Sequence, residues 1–182
     1  MLKELNATAI SLIPKTQHPS RLNDYRLISC CGTIYKCISK LIANRIKLVL
    51  PSLIDRAQSA FIPGRLISDN ILLAQELLRN YHLADTPSRG AIKVDLRKTF
   101  DTIMWEFILD LLEGLHFPPR MLGWNKACHT SPKFSINING SLEGFFSSSR
   151  GIQQGDPLSP YLFILAMEVV AMIIHKLVID VD

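Results

Sequence analysis

The amino-acid sequence predicts one α+β domain, and three observations predict it. Short β-prone runs come in pairs joined by polar turns, and longer runs carry apolar residues at helical spacing. The two kinds are interleaved without the strand–helix–strand alternation of a doubly wound parallel sheet. A length of 182 residues accommodates one sizeable core and not two full domains, and no internal repeat or low-complexity segment divides it.

The elements follow in order. "ATAISLIP" and "YRLIS" are β-prone runs linked by the polar, proline-containing "KTQHPSRLND", which predicts a hairpin with a long basic loop able to reach a ligand. From Thr33 to Leu50 the spacing predicts a helix with Ile34, Ile38, Leu41 and Val49 on its apolar face and Lys36, Lys40 and Lys47 aligned opposite. Arg45 falls within that apolar face, so it must snorkel, pair or meet a ligand. "SDNILLAQELLRNYHL" predicts a second helix capped by Ser68 or Asp69, with Ile71, Leu78 and Tyr81 at helical spacing.

"AIKVDL" alternates, with Ile92, Val94 and Leu96 to one side and Lys93 and Asp95 to the other, and predicts a strand ending in a carboxylate. Asp101 precedes "TIMWEFILDLLEGL", an amphipathic run stopped by Gly114 and the Pro118-Pro119 pair. "KFSININGSLEGFF" predicts a hairpin turning at Asn139-Gly140. The loop "SSSRGIQQGDPLSP" then leads into an apolar helix from about Pro160.

Composition narrows the class. The chain is 48% hydrophobic and 20% charged, the profile of a folded globular protein. Residues 1–50 hold eight Lys/Arg against Glu4 and Asp24, a balance of +6, and the remainder holds twelve against fourteen, a balance of −2. A basic surface for a polyanion beside an acidic region that holds cations fits this asymmetry, as does a chance clustering of solvated lysines. Cys30, Cys31, Cys37 and Cys128 lack paired spacing and are expected to be buried free thiols in a reducing compartment. The segment "YLFILAMEVVAMIIHKLVI" is broken by Glu168, His175 and Lys176 and reads as a core helix, so no membrane partner is expected. The N-terminus has no long apolar run of the secretory kind.

Among candidate chemical groups, Asp95 stands first. A carboxylate on the polar side of a strand end, near a basic surface, suits Mg²⁺-dependent phosphoryl transfer, because Mg²⁺ takes hard oxygen ligands and shares them with substrate phosphates. A turn aspartate ending a strand explains the same residue, and the residues alone leave both readings open. Asp101 is explained by capping the helix that follows. No phosphate-cradling glycine loop and no serine elbow is present, and an aspartyl-phosphate site would want a second Asp where Arg97 stands.

Six motifs in one order carry a resemblance: "LIPK", "YRLIS…YKCISKLIANRIK", "QSAFIPGRLISDNILLAQELL", "IKVDLRKTFD", "FSININGSLEGFF" and "GIQQGDPLSPYLFILAME". Together they resemble the reverse transcriptase domain of plant non-LTR (LINE-type) retrotransposons over essentially the whole chain. The resemblance implies the fingers (about 1–90) and part of the palm (about 91–182, with some fingers elements) of a right-hand polymerase. Such an enzyme uses two Mg²⁺ ions to join deoxynucleoside triphosphates to a DNA primer on an RNA template, and a nuclear site of action is expected for the parent element.

By the same resemblance Asp95 is the first catalytic aspartate, and the Leu96 carbonyl also touches the metal. Phe100 is the aromatic gate that crowds a ribose 2′-hydroxyl. Lys15 and Arg26 bind the triphosphate, and Gln154 and Gly155 form the turn against the nascent base pair. Arg65, Lys36 and Lys40 contact the nucleic-acid backbone.

Three departures accompany the matches. The family usually has Arg-Pro-Ile-Ser where this chain has Arg26-Leu27, Lys-Ala-Phe-Asp at Lys98-Thr99-Phe100-Asp101, and Arg-Gln-Gly at Gln153-Gln154-Gly155. The family's aromatic-Ala-Asp-Asp hairpin and thumb do not fall within these 182 residues, so this polypeptide alone is expected to extend no primer. The alternative expectation is a non-catalytic remnant that holds RNA or primer-template through its basic N-terminal third.

Overall fold

The computed structural model describes residues 6–79, 92–94, 96 and 98–180. Both expected hairpins form. β1 (Ala7–Pro14) pairs antiparallel with β2 (Tyr25–Cys31), Thr8 opposite Cys31 and Pro14 opposite Tyr25. β3 (Lys133–Ile138) and β4 (Ser141–Phe146) flank a turn in which Asn139 and Gly140 both adopt positive φ, 52° and 89°. Those conformations belong to the two-residue connection whose twist matches a hairpin. β1 also pairs in parallel with β3, Ala7 against Lys133, giving one mixed sheet in the order β2-β1-β3-β4. A hairpin is legible from adjacent sequence, whereas this long-range partner is not.

α1 (Thr33–Leu53) covers the expected run, but its buried face differs from the expected one. Tyr35, Ser39, Ile42, Ala43, Ile46 and Leu50 face the core, while Ile34, Leu41 and Val49 are exposed and Ile38 is half-buried. Hydropathy misled because the core side includes a tyrosine and a serine, both hydrogen-bonded there. Lys36, Lys40 and Lys47 are exposed as expected. Arg45 is exposed and lies over the Trp124 ring, 5.0 Å from its centroid, which resolves its place on the helix as a cation–π contact.

α2 (Ile67–Leu77) starts after Leu66, so Ser68 and Asp69 occupy its first turn and no side chain caps it. No residue of α2 is buried; Tyr81 lies outside the described residues. The strand expected at 92–96 is also corrected: the described residues Ile92, Lys93, Val94 and Leu96 join no sheet and are exposed. Alternation supplies a face but not a ladder partner, and both edges of the sheet lie elsewhere. Asp101 is not a cap. It sits inside the single turn α3 (Thr99–Thr102), and α4 (Trp105–Gly114) begins after an extended Ile103-Met104 break with no side-chain cap.

α5 (Pro119–Thr130) went unread in the sequence, although Pro119 at its first position is a start signal. It buries Asn125 and His129 beside Met121 and Cys128, so its inner face is half polar and its periodicity weak. α6 (Ser159–Ile179) begins where expected.

The core lies where α1, α4, α5 and the first half of α6 meet, with Ile46, Leu50, Ile108, Leu112, Leu162 and Leu165 essentially inaccessible. Each such side chain contributes about 1.5–3 kcal/mol of transfer free energy. Reading α6 as a core helix holds for its first half only. From Val170 to Ile179 its apolar residues are exposed, and by length and composition alone the helix could cross a bilayer. The cysteines divide likewise: all four are free, Cys31 and Cys128 are buried, and Cys30 and Cys37 are exposed. Burial pushes the Cys31 thiol up to about 11 and that of Cys128 to about 12, so neither carries a reactive thiolate near neutrality.

Candidate nucleotide-binding cleft

The β1–β2 loop is ordered by its own polar groups. The Asp24 carboxylate accepts the Ser20 and Arg21 amides at 3.0 and 2.9 Å, and these bonds hold its pKa below the usual carboxylate range. The Lys15 ammonium donates to the Asn23 carbonyl at 2.9 Å, and the Lys15 amide to the Asp24 carbonyl at 2.7 Å. Lys15 and Arg26 thereby flank the mouth of the hairpin on one wall of a cleft of about 700 Å³.

The other walls come from distant parts of the chain. Lys98 takes a left-handed conformation (φ 53°), a sharp turn that starts α3 and directs Phe100 into the cleft. Phe100 stacks on Phe163 of α6, ring centroids 4.7 Å apart and 21° from parallel. Its backbone is fixed as well: Ile152 N–H donates to the Phe100 carbonyl and Gly151 N–H to that of Ile103, both at 2.7 Å, while the Trp105 indole N–H reaches the Gly151 carbonyl at 2.7 Å. Gly151 has φ 89°, and a Cβ there would come within 3.0 Å of the Asp101 carbonyl oxygen. No local pattern marks Trp105 as a support, and for Gly151 the signal available in the sequence is a glycine two residues ahead of the Gln153-Gln154 pair.

Gln154 closes the cleft from the side of β2. Ser29 N–H donates to its carbonyl at 2.8 Å, and Gly155, at φ 110°, brings its Cα so close that a Cβ would stand 2.9 Å from the Ser29 carbonyl oxygen. Just before it, the Cys31 thiol meets the Gln153 amide oxygen at 2.8 Å. A second cavity of about 410 Å³ adjoins the cleft and shares Leu27, Lys98, Asp101 and Gln154 with it. His129, which lines this cavity, has no hydrogen-bond partner for Nε2 among the described residues, and burial drives its pKa down to about 4, so it stays neutral at physiological pH.

The structure therefore brings Lys15, Arg26, Leu96, Phe100 and Gln154 to one cleft, with Gly155 behind Gln154. Asp95 lies outside the described residues. The Leu96 carbonyl accepts the Thr99 hydroxyl at 2.9 Å, so the side chain that replaces the family's alanine is bonded to the group expected to meet metal. Among the described residues no three His, Cys, Asp or Glu side chains stand together as a metal cluster; of those lining the cleft, Asp101 carries the carboxylate, and the backbone carbonyl of Leu96 is a further oxygen. Both are hard donors of the kind Mg²⁺ prefers, and a carbonyl keeps a second lone pair.

Lys36, Lys40 and Arg65 border neither cavity. Arg65 instead closes the C-terminal end of α1, donating to the carbonyls of Gln58 (2.7 Å), Ile54 (3.1 Å), Pro51 (3.4 Å) and Asp55. A cation at that end also meets the negative pole of the helix. Arg65→Ala is expected to lower unfolding free energy by about 1.5–3 kcal/mol, from charge-assisted bonds left unmade. Chemical denaturation measures it.

Comparison with known proteins gives concordant matches. Residues 13–179 match the sequence family described as reverse transcriptase (RNA-dependent DNA polymerase). The chain is 33% identical over 169 residues, 92% of its length, to the transposon TX1 uncharacterized 149 kDa protein of Xenopus laevis, and spans 13% of that protein. It is 30% identical over 156 residues, 86% of its length, to the retrovirus-related Pol polyprotein of the type-2 retrotransposable element R2DM of Drosophila melanogaster, and spans 14% of it. A 34-residue stretch, 19% of the chain, is 62% identical to part of an uncharacterized mitochondrial protein of Arabidopsis thaliana, covering 28% of that protein.

Proposed function

The chain belongs to the reverse transcriptase (RNA-dependent DNA polymerase) family, with relatives in the R2 and TX1 retrotransposable elements, and from that premise we propose that its cleft is the deoxynucleotide subsite of an RNA-directed DNA polymerase. The observation that carries the reading is the convergence of Lys15 and Arg26 of the β1–β2 hairpin, Phe100 of α3 and Gln154 of the 153–156 loop on one cleft of about 700 Å³. The sheet with α1 and α2 would be the fingers, and the Phe100 segment with α6 part of the palm. The 62% match to a stretch of an Arabidopsis protein supports a plant element as the parent.

In this reading the Lys15 ammonium and the Arg26 guanidinium neutralise the triphosphate, the first as a point charge and the second as a fork. Phe100, held by its stack on Phe163, would crowd a ribose 2′-hydroxyl. Gln154 lies against the base pair being formed. Asp95 and the Leu96 carbonyl would hold divalent metal, which we take to be Mg²⁺. Two such ions, when bound, stabilise the attacking and leaving oxygens of phosphoryl transfer. The template strand and primer would pass along the exposed Lys36 and Lys40 side of α1, a helix with no acidic residue.

The test is calorimetric titration of the chain with a deoxynucleoside triphosphate and Mg²⁺, beside primer extension on RNA by the element's whole protein. Binding that favours deoxy over ribo substrates, a preference lost in Phe100→Ala, is expected, together with extension abolished by Asp95→Ala. Absence of triphosphate binding at millimolar concentration, or extension indifferent to Asp95, would sink the reading.

A further inference from the structure

The cleft is held from behind by a carboxyl group that no substrate can reach. Asp156 follows Gly155 and is 3% exposed. Its carboxylate accepts the Tyr35 phenol of α1 at 3.3 Å and the Leu158 amide at 3.4 Å, and Tyr35 is itself 1% exposed. The same phenol lies 3.4 Å from the Cys128 carbonyl of α5. Backbone bonds continue the connection, Asp156 N–H donating to the Gln153 carbonyl and Ser159 N–H to that of Asp156, both at 3.3 Å. No Lys, Arg or His pairs with Asp156 among the described residues.

A buried carboxyl without a counter-ion is costly unless donors surround it, and a leucine-lined core would be more stable in its place. Burial does raise the Asp156 pKa, while Ser39, the Leu158 amide, Tyr35 and Ser159 act against that rise. What the arrangement achieves is geometric. The 153–156 loop is tied to β2 on one side, through Ser29 with Gln154 and Cys31 with Gln153, and to α1 on the other, through Asp156 with Tyr35. Gln154 is the member of that loop left facing the nucleotide cleft.

We infer that Asp156, through its bond from Tyr35, is a positioning residue that fixes the register of the Gln154-Gly155 turn against β2 and so sets how Gln154 meets the nucleotide. The inference rests on the reading of the cleft as a nucleotide subsite, but its mechanical half, the hold on β2, does not require nucleotide. Tyr35→Phe removes only the hydroxyl, Asp156→Asn keeps an acceptor of the same shape, and Asp156→Ala removes the link.

Amide hydrogen exchange of Ser29, whose N–H is bonded to the Gln154 carbonyl and not to Asp156, reads the hold directly. Exchange at Ser29 is expected to accelerate at least tenfold in Asp156→Ala and about threefold in Tyr35→Phe, and to return within threefold of the parent in Asp156→Asn, with the amides of α4 unchanged. In the same variants deoxynucleotide affinity should fall about five- to twentyfold in Asp156→Ala and recover in Asp156→Asn.

Should Asp156→Ala fail to fold, Tyr35→Phe decides. An unchanged Ser29 rate in that variant overturns the positioning role. Uniform acceleration through α1, α4 and α6 overturns it too, in favour of plain core support. If the parent chain binds no nucleotide, the polymerase reading falls while the exchange experiment still judges the clamp; altered Ser29 exchange with unaltered affinity refutes the link between clamp and Gln154 function.

Discussion

Gly155→Ala is expected to lower the unfolding free energy by about 2–4 kcal/mol and to weaken deoxynucleotide binding at least tenfold. Two independent penalties add. The residue holds φ 110°, a conformation that L side chains rarely adopt and that costs on the order of 1–3 kcal/mol. Its added methyl would also lie 2.9 Å from the Ser29 carbonyl oxygen, which as β-sheet backbone cannot rotate away. Relief requires the loop to lift from β2, breaking the Ser29–Gln154 bond and withdrawing Gln154 from the cleft. Gly123→Ala in α5 is the control: a Cβ there meets open space, and helix propensity predicts a gain of up to about 1 kcal/mol. Urea denaturation of the two variants beside the parent measures the contrast, and equal stability of all three would refute the account of Gly155.

Replacing both Lys15 and Arg26 by alanine is expected to weaken triphosphate binding by 100-fold or more while leaving stability nearly unchanged. Arg26 is exposed, and no side-chain hydrogen bond engages it among the described residues, so its guanidinium is available to a ligand. A charge-assisted bond to phosphate is worth about 1.5–3 kcal/mol, or on the order of 10- to 100-fold in affinity for each residue. Lys15 also organises its own loop through Asn23, so its loss should cost about 0.5–1.5 kcal/mol of local order at most. Titration of the double variant with a deoxynucleoside triphosphate, beside Lys47→Ala as a charge-matched surface control, checks this. If the double variant bound as tightly as the control, these two cations would have no part in the cleft.

What the sequence disclosed, and what it hid, follows from the range of the forces involved. Both hairpins were legible because a two-residue Asn139-Gly140 turn and alternating side chains act over a few residues. The stretch 92–96 alternates as well and forms no strand among the described residues, since a ladder needs a partner that local pattern cannot name. The inner face of α1 was misplaced because Tyr35 and Ser39 are buried through hydrogen bonds, which hydropathy counts against burial. The cleft was half visible: Lys15, Arg26, Phe100 and Gln154 could be picked out one by one through resemblance, and their meeting in space came from the structure. Asp156, Tyr35, Trp105 and Gly151 were not picked out, because each acts by holding a neighbour.

The parallel pairing of β1 with β3 bears on how the chain is made. On a ribosome the β1–β2 hairpin is complete long before Lys133 emerges to meet Ala7, so its inner edge must wait with backbone amides and carbonyls unshared. Closing so long an intervening loop is slow, and a naked strand edge is open to other chains during that interval. Synthesis is therefore the stage at which this edge is most open to mispairing.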